Sequence, residues 1–194
     1  MHNYIKNHIK ESYEIKKSIL ENDQLTNLIK EVSEKAIEVY RAGNKTILAG
    51  NGGSAADAQH IAGEFVSRFY FDRPGLASLA LTTDTSILTA IGNDYGYEQL
   101  FARQVQANGV KGDMFIGIST SGNSKNVIKA LEVCKEKGII TVGFTGASGG
   151  NMAELCDYCI KVPSNETPRI QESHILIGHI LCAIVEEVIF GKGF

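Results

Sequence analysis

The feature that most constrains the fold is a glycine-rich turn between an apolar run and a helical pattern, within residues 46–64. Residues 46–49 have the composition of a buried parallel strand, and Gly50-Asn51-Gly52-Gly53 follows at once. Glycines permit a tight turn and a close approach of the backbone to a ligand. The start of the next helix offers free N–H groups and a positive dipole end, which suit an anion such as phosphate. We expect Ser54 to cap this helix.

The same helical pattern carries an imidazole and a carboxylate four residues apart, His60 and Glu64. Residues at this spacing project from one face of a helix. The segment therefore combines an anion-binding turn with a pair of groups suited to acid–base chemistry or metal binding. Taken alone, it is also compatible with an ordinary strand-to-helix turn that has solvent-facing polar residues.

A second segment repeats this design. The apolar run 116–118 leads into Ser119-Thr120-Ser121-Gly122-Asn123-Ser124, and a helical pattern begins at about Lys125. The segment lacks the Gly-Lys-Ser/Thr ending of a nucleotide P-loop and the spacing of a dinucleotide fingerprint. Hydroxyls and backbone amides with no preceding basic residue fit a sugar phosphate better than a nucleoside triphosphate.

The order of the remaining patterns predicts a parallel α/β fold. Two amphipathic helices, at 3 to about 23 and 25 to about 42, precede an alternation of strands and helices. The candidate strands are 46–49, 78–82, 114–119, 141–145 and 159–162. Helices between them imply crossover connections, and ligands of such sheets bind at the carboxyl ends of the strands. The apolar stripes of the first two helices need a partner, which we expect to be another subunit in part.

Two further segments carry polar residues of interest. Residues 92–96 lie between helical patterns and are either a plain turn or a polar ligand-binding loop. The last helix, 168–190, contains Gln171, His174 and His179. Gln171 and His179 are eight residues apart, about 12 Å along a straight helix axis. They meet at one centre only through a bent first turn or through two subunits, and a lone histidine on an apolar helix is more often a core residue.

Composition excludes several classes of function. The net charge of −3 suggests neither a nucleic-acid nor a membrane partner, and we predict a cytoplasmic protein because no leader or membrane-spanning run is evident. The 194 residues suggest one domain, with a helical extension at 1–43 and an α/β core at 44–194. The four cysteines lack the spacing of a zinc knuckle, and we expect buried, reduced thiols.

These residues resemble the sugar isomerase (SIS) domain family and, within it, the phosphoheptose isomerases. The matching stretches are 50–64, 92–94, 119–124 and 169–172, together with His174 and His179. The resemblance implies a flavodoxin-like parallel sheet flanked by helices, a homotetramer with the N-terminal helices in its bundle, and active sites at subunit interfaces. It implies conversion of sedoheptulose 7-phosphate into D-glycero-D-manno-heptose 7-phosphate, the first step toward ADP-heptose for lipopolysaccharide core or other heptose glycans.

The resemblance also implies roles for individual residues. The substrate would be contacted by Asn51, Gly52, Gly53, Ser54, Glu64, Asn93, Asp94, Ser119, Thr120, Ser121, Ser124 and Gln171. A zinc ion would be held by His60, Glu64, Gln171 and His179. Ketose–aldose isomerisation needs a base near carbon and an acid–base group near oxygen; we assign these to Glu64 and His179. A carboxylate bound to zinc is a poorer base than a free one, so the two roles of Glu64 compete.

Two other functions remain open at this point. SIS domains also occur as non-catalytic modules, including adaptors for the bacterial replication initiator, but such an adaptor can dispense with Glu64 and His179. An isomerase of another phosphosugar would have similar loops, and only a substrate assay separates it from a heptose isomerase.

Overall fold

The computed structural model describes residues 1–193 of the chain. The α-helices in this range are α1 (His2–Leu20), α2 (Asp23–Arg41), α3 (Gly53–Val66), α4 (Thr85–Tyr95), α5 (Leu100–Asn108), α6 (Lys125–Lys137) and α7 (Thr167–Phe190). The β-strands are β1 (Thr46–Gly50), β2 (Ser78–Ala80), β3 (Met114–Ile118), β4 (Ile140–Thr145) and β5 (Tyr158–Lys161). Short 3₁₀ helices lie at Tyr97–Gln99 and Gly150–Glu154.

The five strands form one parallel sheet in the order β2-β1-β3-β4-β5. This is the order of the flavodoxin-like fold, so the predicted fold class is confirmed. Strand β1 is flanked by β2 on one side and β3 on the other, and its last residue, Gly50, is in register with Ile118 of β3. The chain reverses its direction of strand addition here, which opens a crevice between the carboxyl ends of β1 and β3.

Helices cover both faces of the sheet, and the central strands β1 and β3 are buried at every residue. On one face, α2, α3 and α7 pack over side chains such as Leu48, Ile116 and Phe144. On the other face, α5 and α6 pack over Ile47 and Phe115. The first of these layers brings together α3 and α7, the two helices with the predicted acid–base and metal-binding residues.

Helices α3 and α7 lie side by side and run in the same direction. Near the start of α3, Gly53 contacts the side chain of Gln171, and further along Ile61 contacts Gly178. A Cβ atom at Gly178 would lie 2.5 Å from Cδ1 of Ile61. The absence of that atom therefore allows the close approach of the two helices.

The N-terminal helices differ in how much of their apolar surface is covered. Helix α2 buries a complete stripe against the sheet layer, whereas Ile19 is the one buried residue of α1. Several large apolar residues of α1 are exposed in this chain: Tyr4, Ile5, Ile9, Tyr13 and Leu20. The prediction that these helices present unpartnered apolar surface is thus confirmed for α1 but not for α2.

By length and composition, α7 is the one helix within residues 1–193 that could cross a membrane. It meets this test by length and composition only. One such helix is weak evidence for a membrane protein, because core helices pass the same test. Helix α7 has Ile170, Ile177 and Leu181 buried against the sheet, which explains its apolar composition.

Two local predictions need correction. Ser54 does not cap α3, because the turn ends at Gly52 and Ser54 already lies within the first turn, where it is buried. Residues 92–95 are not a loop between helices but the last turn of α4, which is capped at its start by Asp84 and is followed by Gly96. A polar sequence is compatible with this turn of helix because it is exposed.

Candidate active site

The two predicted anion-binding loops meet at the switch point of the sheet. The loop between β1 and α3 and the loop between β3 and α6 leave the carboxyl ends of two adjacent strands. Their backbones reach the same edge because both strands are parallel and in register. The sheet therefore places both glycine-containing turns where ligands of this fold class bind.

The loop after β3 is a compact group of hydroxyls. Ser119 Oγ lies 2.8 Å from Ser124 Oγ and 3.4 Å from Ser121 Oγ, and Ser121 Oγ accepts a hydrogen bond from the Asn123 amide at 3.1 Å. Gly122 has a φ of +67°, and a Cβ atom there would lie 2.0 Å from the Gly149 carbonyl oxygen. Only glycine allows this turn, which brings Ser119, Ser121 and Ser124 together ahead of α6.

The loop after β1 is fixed by an amide network that the sequence did not reveal. The side chains of Asn51 and Asn126 are joined by hydrogen bonds of 2.9 Å, and the Tyr97 hydroxyl donates to Asn51 Oδ1 at 2.9 Å. Asn126 lies at the start of α6 and is buried. A polar residue just after a serine-rich turn was the available signal for Asn126, but nothing in the sequence linked Tyr97 to Asn51.

A cavity of about 350 Å³ opens beside this network. It is lined by the loop after β1, by Thr82 after β2, by Gly92 of α4 and by Tyr97. Asn51 and Gly52 are the predicted substrate residues that line it. Asn93 and Asp94 follow Gly92, but both are exposed and hydrogen-bonded to each other at 2.8 Å.

The acid–base residues form a cluster between α3 and α7. His60 Nε2 lies 3.2 Å from Glu64 Oε1 and 3.3 Å from His179 Nε2. The ligand atoms of the three residues all lie within 4.8 Å of one another. Two imidazoles and a carboxylate are a donor set used by catalytic zinc sites. The cluster therefore fits a metal ion, and His179 is part of it and not a residue of the core.

Gln171 lies away from this cluster in the same chain. A Cβ atom on Gly53 would be 2.5 Å from Gln171 Nε2, so the amide lies against the start of α3, at the anion-binding loop. Gln171 and His179 both lie within α7, eight residues apart, which corresponds to about 12 Å along a helix axis. The position suits contact with a substrate, and a metal-binding role for Gln171 stays a prediction.

His174 is connected through the backbone to the loop after β3, residues 119–124, which we call the serine loop. It is not a ligand of the cluster. It is fully buried, its Nε2 donates to the Thr145 carbonyl at 3.1 Å, and the neighbouring Gly146 amide donates to the Thr120 carbonyl. The His174 Nδ1 has no partner among the described residues. Burial lowers the pKa of His174 to about 4, so this imidazole is neutral near pH 7.

Near the cluster lies another carboxylate, Asp57, which the sequence analysis did not single out. It lies one turn before His60 on α3, half-buried, and its Oδ2 lacks a hydrogen-bond partner among residues 1–193. Burial raises the pKa of Asp57 to about 6, although the neighbouring His60 opposes that shift. The cysteines, by contrast, follow the prediction in part: all four thiols are free, but Cys134 and Cys182 are buried whereas Cys156 and Cys159 are half-buried. Burial raises the pKa of Cys156 to about 12.

Comparison with known proteins identifies the family. A family model described as SIS domain matches residues 8–146. The chain is 76% identical to the phosphoheptose isomerase of Aneurinibacillus thermoaerophilus, covering 100% of this chain and 98% of that one. It is 74% identical to phosphoheptose isomerase 2 of Campylobacter jejuni, covering 100% and 96%.

A solved structure agrees with these relatives. The phosphoheptose isomerase of Neisseria gonorrhoeae superposes with a TM-score of 0.90 at 40% identity, covering 96% of this chain and 98% of that one. Identity at this level over nearly the full length of both chains extends beyond the fold. The chain is thus a member of the SIS domain family and belongs to its phosphoheptose isomerases.

Proposed function

We propose that the protein is an aldose–ketose isomerase that converts sedoheptulose 7-phosphate into D-glycero-D-manno-heptose 7-phosphate, at the start of ADP-heptose biosynthesis. The observation that carries this proposal is that a chain 76% identical to a phosphoheptose isomerase has both the group of hydroxyls after β3 and the cluster of His60, Glu64 and His179. A non-catalytic adaptor would not need the cluster. The presence of the cluster therefore favours an enzyme over an adaptor.

The reaction moves one proton between adjacent carbons through an enediol. Glu64 is the proposed base that takes the proton from carbon and returns it to the neighbouring carbon. His179 is the proposed group that exchanges protons with the sugar oxygens as the carbonyl changes position. Both side chains are partly exposed and lie in one cluster, so that a bound sugar can reach them together.

The phosphate is proposed to bind at the other end of the site. Ser119, Thr120, Ser121 and Ser124 would donate hydroxyl or amide hydrogens, and the start of α3 would add backbone N–H groups from Gly53 and Ser54. Asn51, Gly52, Asn93, Asp94 and Gln171 are the proposed contacts to the sugar chain. Support comes from the position of Gln171 against Gly53 and from the hydroxyl group after β3.

The metal is proposed to be zinc, held by His60, Glu64 and His179. When bound, zinc would polarise the sugar carbonyl and stabilise negative charge on oxygen. Glu64 would both hold the metal and act as the proposed base, so these two roles compete for its carboxylate. Gln171 would join as a fourth ligand only from another subunit, because in its own chain it lies against Gly53, at the loop between β1 and α3.

A homotetramer is proposed on the basis of uncovered apolar surface. Beside the cluster, a groove of about 500 Å³ is lined by Phe69, Leu176, His179 and Ile180. Together with the exposed face of α1, this surface suits another copy of the chain that covers the site. We further propose that the chain forms a single domain, residues 1–194, and acts in the cytoplasm on its phosphosugar.

The direct test is incubation of the purified protein with sedoheptulose 7-phosphate, with the product identified by NMR. We expect the aldose heptose 7-phosphate to appear, and Glu64→Gln protein prepared in parallel to form it at least about a hundredfold more slowly. A parallel incubation with hexose phosphates tests the alternative substrate. Turnover of a hexose phosphate at a higher kcat/KM than that of the heptulose phosphate would contradict the proposed substrate. No turnover of any of these sugars would contradict the proposal that the protein is an isomerase.

The assembly has its own test. A chain lacking residues 1–21 keeps α2 with its Asn22 cap but lacks α1. Light scattering and activity are measured on the same preparations, and both are expected to fall. A truncated monomer with full activity would refute an active site completed between subunits.

A further inference from the structure

A buried ion pair joins the loop after α3 to the C-terminal half of α7. Arg73 Nε lies 3.0 Å from Glu186 Oε1, and the two side chains are 2% and 1% exposed. Burying two charges is costly unless their hydrogen-bonding capacity is satisfied. The remaining partners of each side chain therefore indicate what the pair holds in place.

Arg73 closes the end of the helix that carries Glu64. Its Nη2 donates to the Glu64 carbonyl at 2.8 Å, and its Nη1 donates to the carbonyls of Phe65 and Ser67 at 2.6 and 3.3 Å. The last carbonyls of a helix have no partner within the helix. Arg73 supplies those partners, so the backbone of Glu64 itself is tied to the guanidinium.

Glu186 holds the loop that packs on His179. Its two carboxylate oxygens accept hydrogen bonds from the amides of Phe69 and Tyr70, at 2.7 and 2.6 Å. Burial alone would raise the pKa of Glu186, but these amides and Arg73 hold it below its usual range, so the group stays charged. The Phe69 ring lies 5.5 Å from the His179 ring, centroid to centroid.

The pair thus touches both sides of the cluster without being part of it. Glu186 lies seven residues, two helical turns, after His179 on the same face of α7. On one side Arg73 fixes the backbone of Glu64, and on the other Glu186 and Phe69 fix α7 and the His179 ring. A displacement of either partner would change the distance between Glu64 and His179.

We propose that Arg73 and Glu186 form a positioning pair that sets the geometry of Glu64 against His179 for proton transfer and metal binding. The inference rests on the proposed function for its catalytic part. Neither residue is catalytic, since each acts through the backbone or ring of another residue. The pair is distinct from the substrate and metal-binding residues, none of which it includes.

The role in positioning can be separated from a role in stability. A buried ion pair replaced by apolar residues of similar volume often leaves a protein equally stable or more stable, whereas removal of one partner leaves an uncompensated charge. The double variant Arg73→Met with Glu186→Leu should therefore fold. It nevertheless lacks the donors to the Glu64 carbonyl and the acceptors for the Phe69 and Tyr70 amides.

The experiment compares the parent, Arg73→Lys, the double variant and the control Arg41→Lys. Arg41 also donates to a carbonyl of α7, that of Val188 at 3.5 Å, but it is exposed and distant in sequence from the site residues. For each protein, kcat and KM for sedoheptulose 7-phosphate, zinc retention against a competing chelator, and thermal unfolding are measured. These readouts separate geometry at the cluster from global stability.

For Arg73→Lys and the double variant we expect kcat to fall at least about tenfold, because an error of about 1 Å in a reacting group is costly. KM should change less than about threefold, since the phosphate contacts lie elsewhere. Zinc should be released at a chelator concentration several-fold lower than for the parent. The Arg41→Lys control should match the parent in all measurements.

A double variant with parental kcat and parental zinc retention would overturn the proposal, whatever its unfolding temperature. If kcat falls across these variants only in proportion to their loss of thermal stability, the proposal would also be overturned, because the pair would then have a structural role alone. A parent that fails to isomerise the sugar would contradict the proposed function. In that case, zinc retention by the variants would still decide whether the pair positions the cluster.

Discussion

The serine loop after β3 and the cluster between α3 and α7 are built in opposite ways. The loop draws its hydroxyls from six consecutive residues, 119–124, which hydrogen-bond to one another. The cluster draws His60 and Glu64 from one helix and His179 from another, 119 residues further along the chain than His60. Binding geometry is therefore local in the loop, whereas in the cluster it depends on how two helices pack.

The largest expected effect is on the chemistry of the cluster. Replacing Glu64 by glutamine keeps the size of the side chain and removes the proposed base. We expect turnover to fall at least about a hundredfold, the usual scale for loss of a general base, while KM changes little. Steady-state kinetics of Glu64→Gln test this prediction. The control is Glu34→Gln, on the exposed face of α2. Near-normal turnover in Glu64→Gln would rule out this assignment.

The support of the serine loop should respond to acid. His174 is neutral and buried in the folded state, where its pKa is lowered to about 4, but it ionises near pH 6.5 when unfolded. Its contribution to stability is therefore present above about pH 6.5 and is lost as pH falls toward 4. By linkage, about 2 kcal/mol of unfolding free energy is lost by pH 5.

Denaturant unfolding of metal-free protein at pH 7 and pH 5 measures this loss. The variant His174→Gln keeps a donor for the Thr145 carbonyl but does not titrate, so its stability should depend less on pH over this range. The control is His8→Gln, which changes a partly exposed histidine of α1 and should follow the parent. An identical pH dependence in His174→Gln and the parent would contradict the prediction.

Metal binding should depend on both helices. Removing an imidazole from either side, as in His60→Ala or His179→Ala, should lower zinc affinity at least about tenfold, since even outer-shell partners contribute on that scale. The loss of zinc affinity is measured as the metal content after dialysis against a chelator, with His8→Ala as the control. Equal retention in His60→Ala and the parent would show that the metal, if bound, is held elsewhere.

The smallest expected effect belongs to single hydroxyls of the serine loop. Ser121→Ala removes one donor to the phosphate and should weaken substrate binding by about 1 kcal/mol, roughly fivefold. Ser18→Ala on α1 is the matched control. The unphosphorylated heptulose should be a very poor substrate of the parent. Equal efficiency on the free and the phosphorylated sugar would refute the phosphate loop.

The contrast between the two regions also explains what the sequence predicted well. Alternation of apolar runs and helical patterns located all five strands within about two residues, because parallel strands buried on both faces leave a clear composition signal. The serine loop was likewise recognised whole, since its residues are adjacent. His60 and Glu64 were paired correctly from their spacing alone.

The rest depended on contacts between distant residues. The Asn51–Asn126 network, the Arg73–Glu186 pair and the placement of Gln171 at Gly53 each join residues far apart in the chain. No periodicity encodes such contacts. The misplaced turn at 92–95 has a different cause: polarity and a glycine indicated a break, but an exposed helix end tolerates both.

The close approach of Ile61 and Gly178 has a consequence for how this sequence can vary. A side chain at position 178 would collide with Cδ1 and Cγ1 of Ile61, and Ile61 is fully buried. The two positions are therefore expected to change together in homologues and in engineered variants. Alanine at 178 should be tolerated when alanine replaces Ile61, because a new Cβ would lie 2.5 Å from Cδ1 and 2.7 Å from Cγ1 of Ile61, and valine would remove only the first of these atoms.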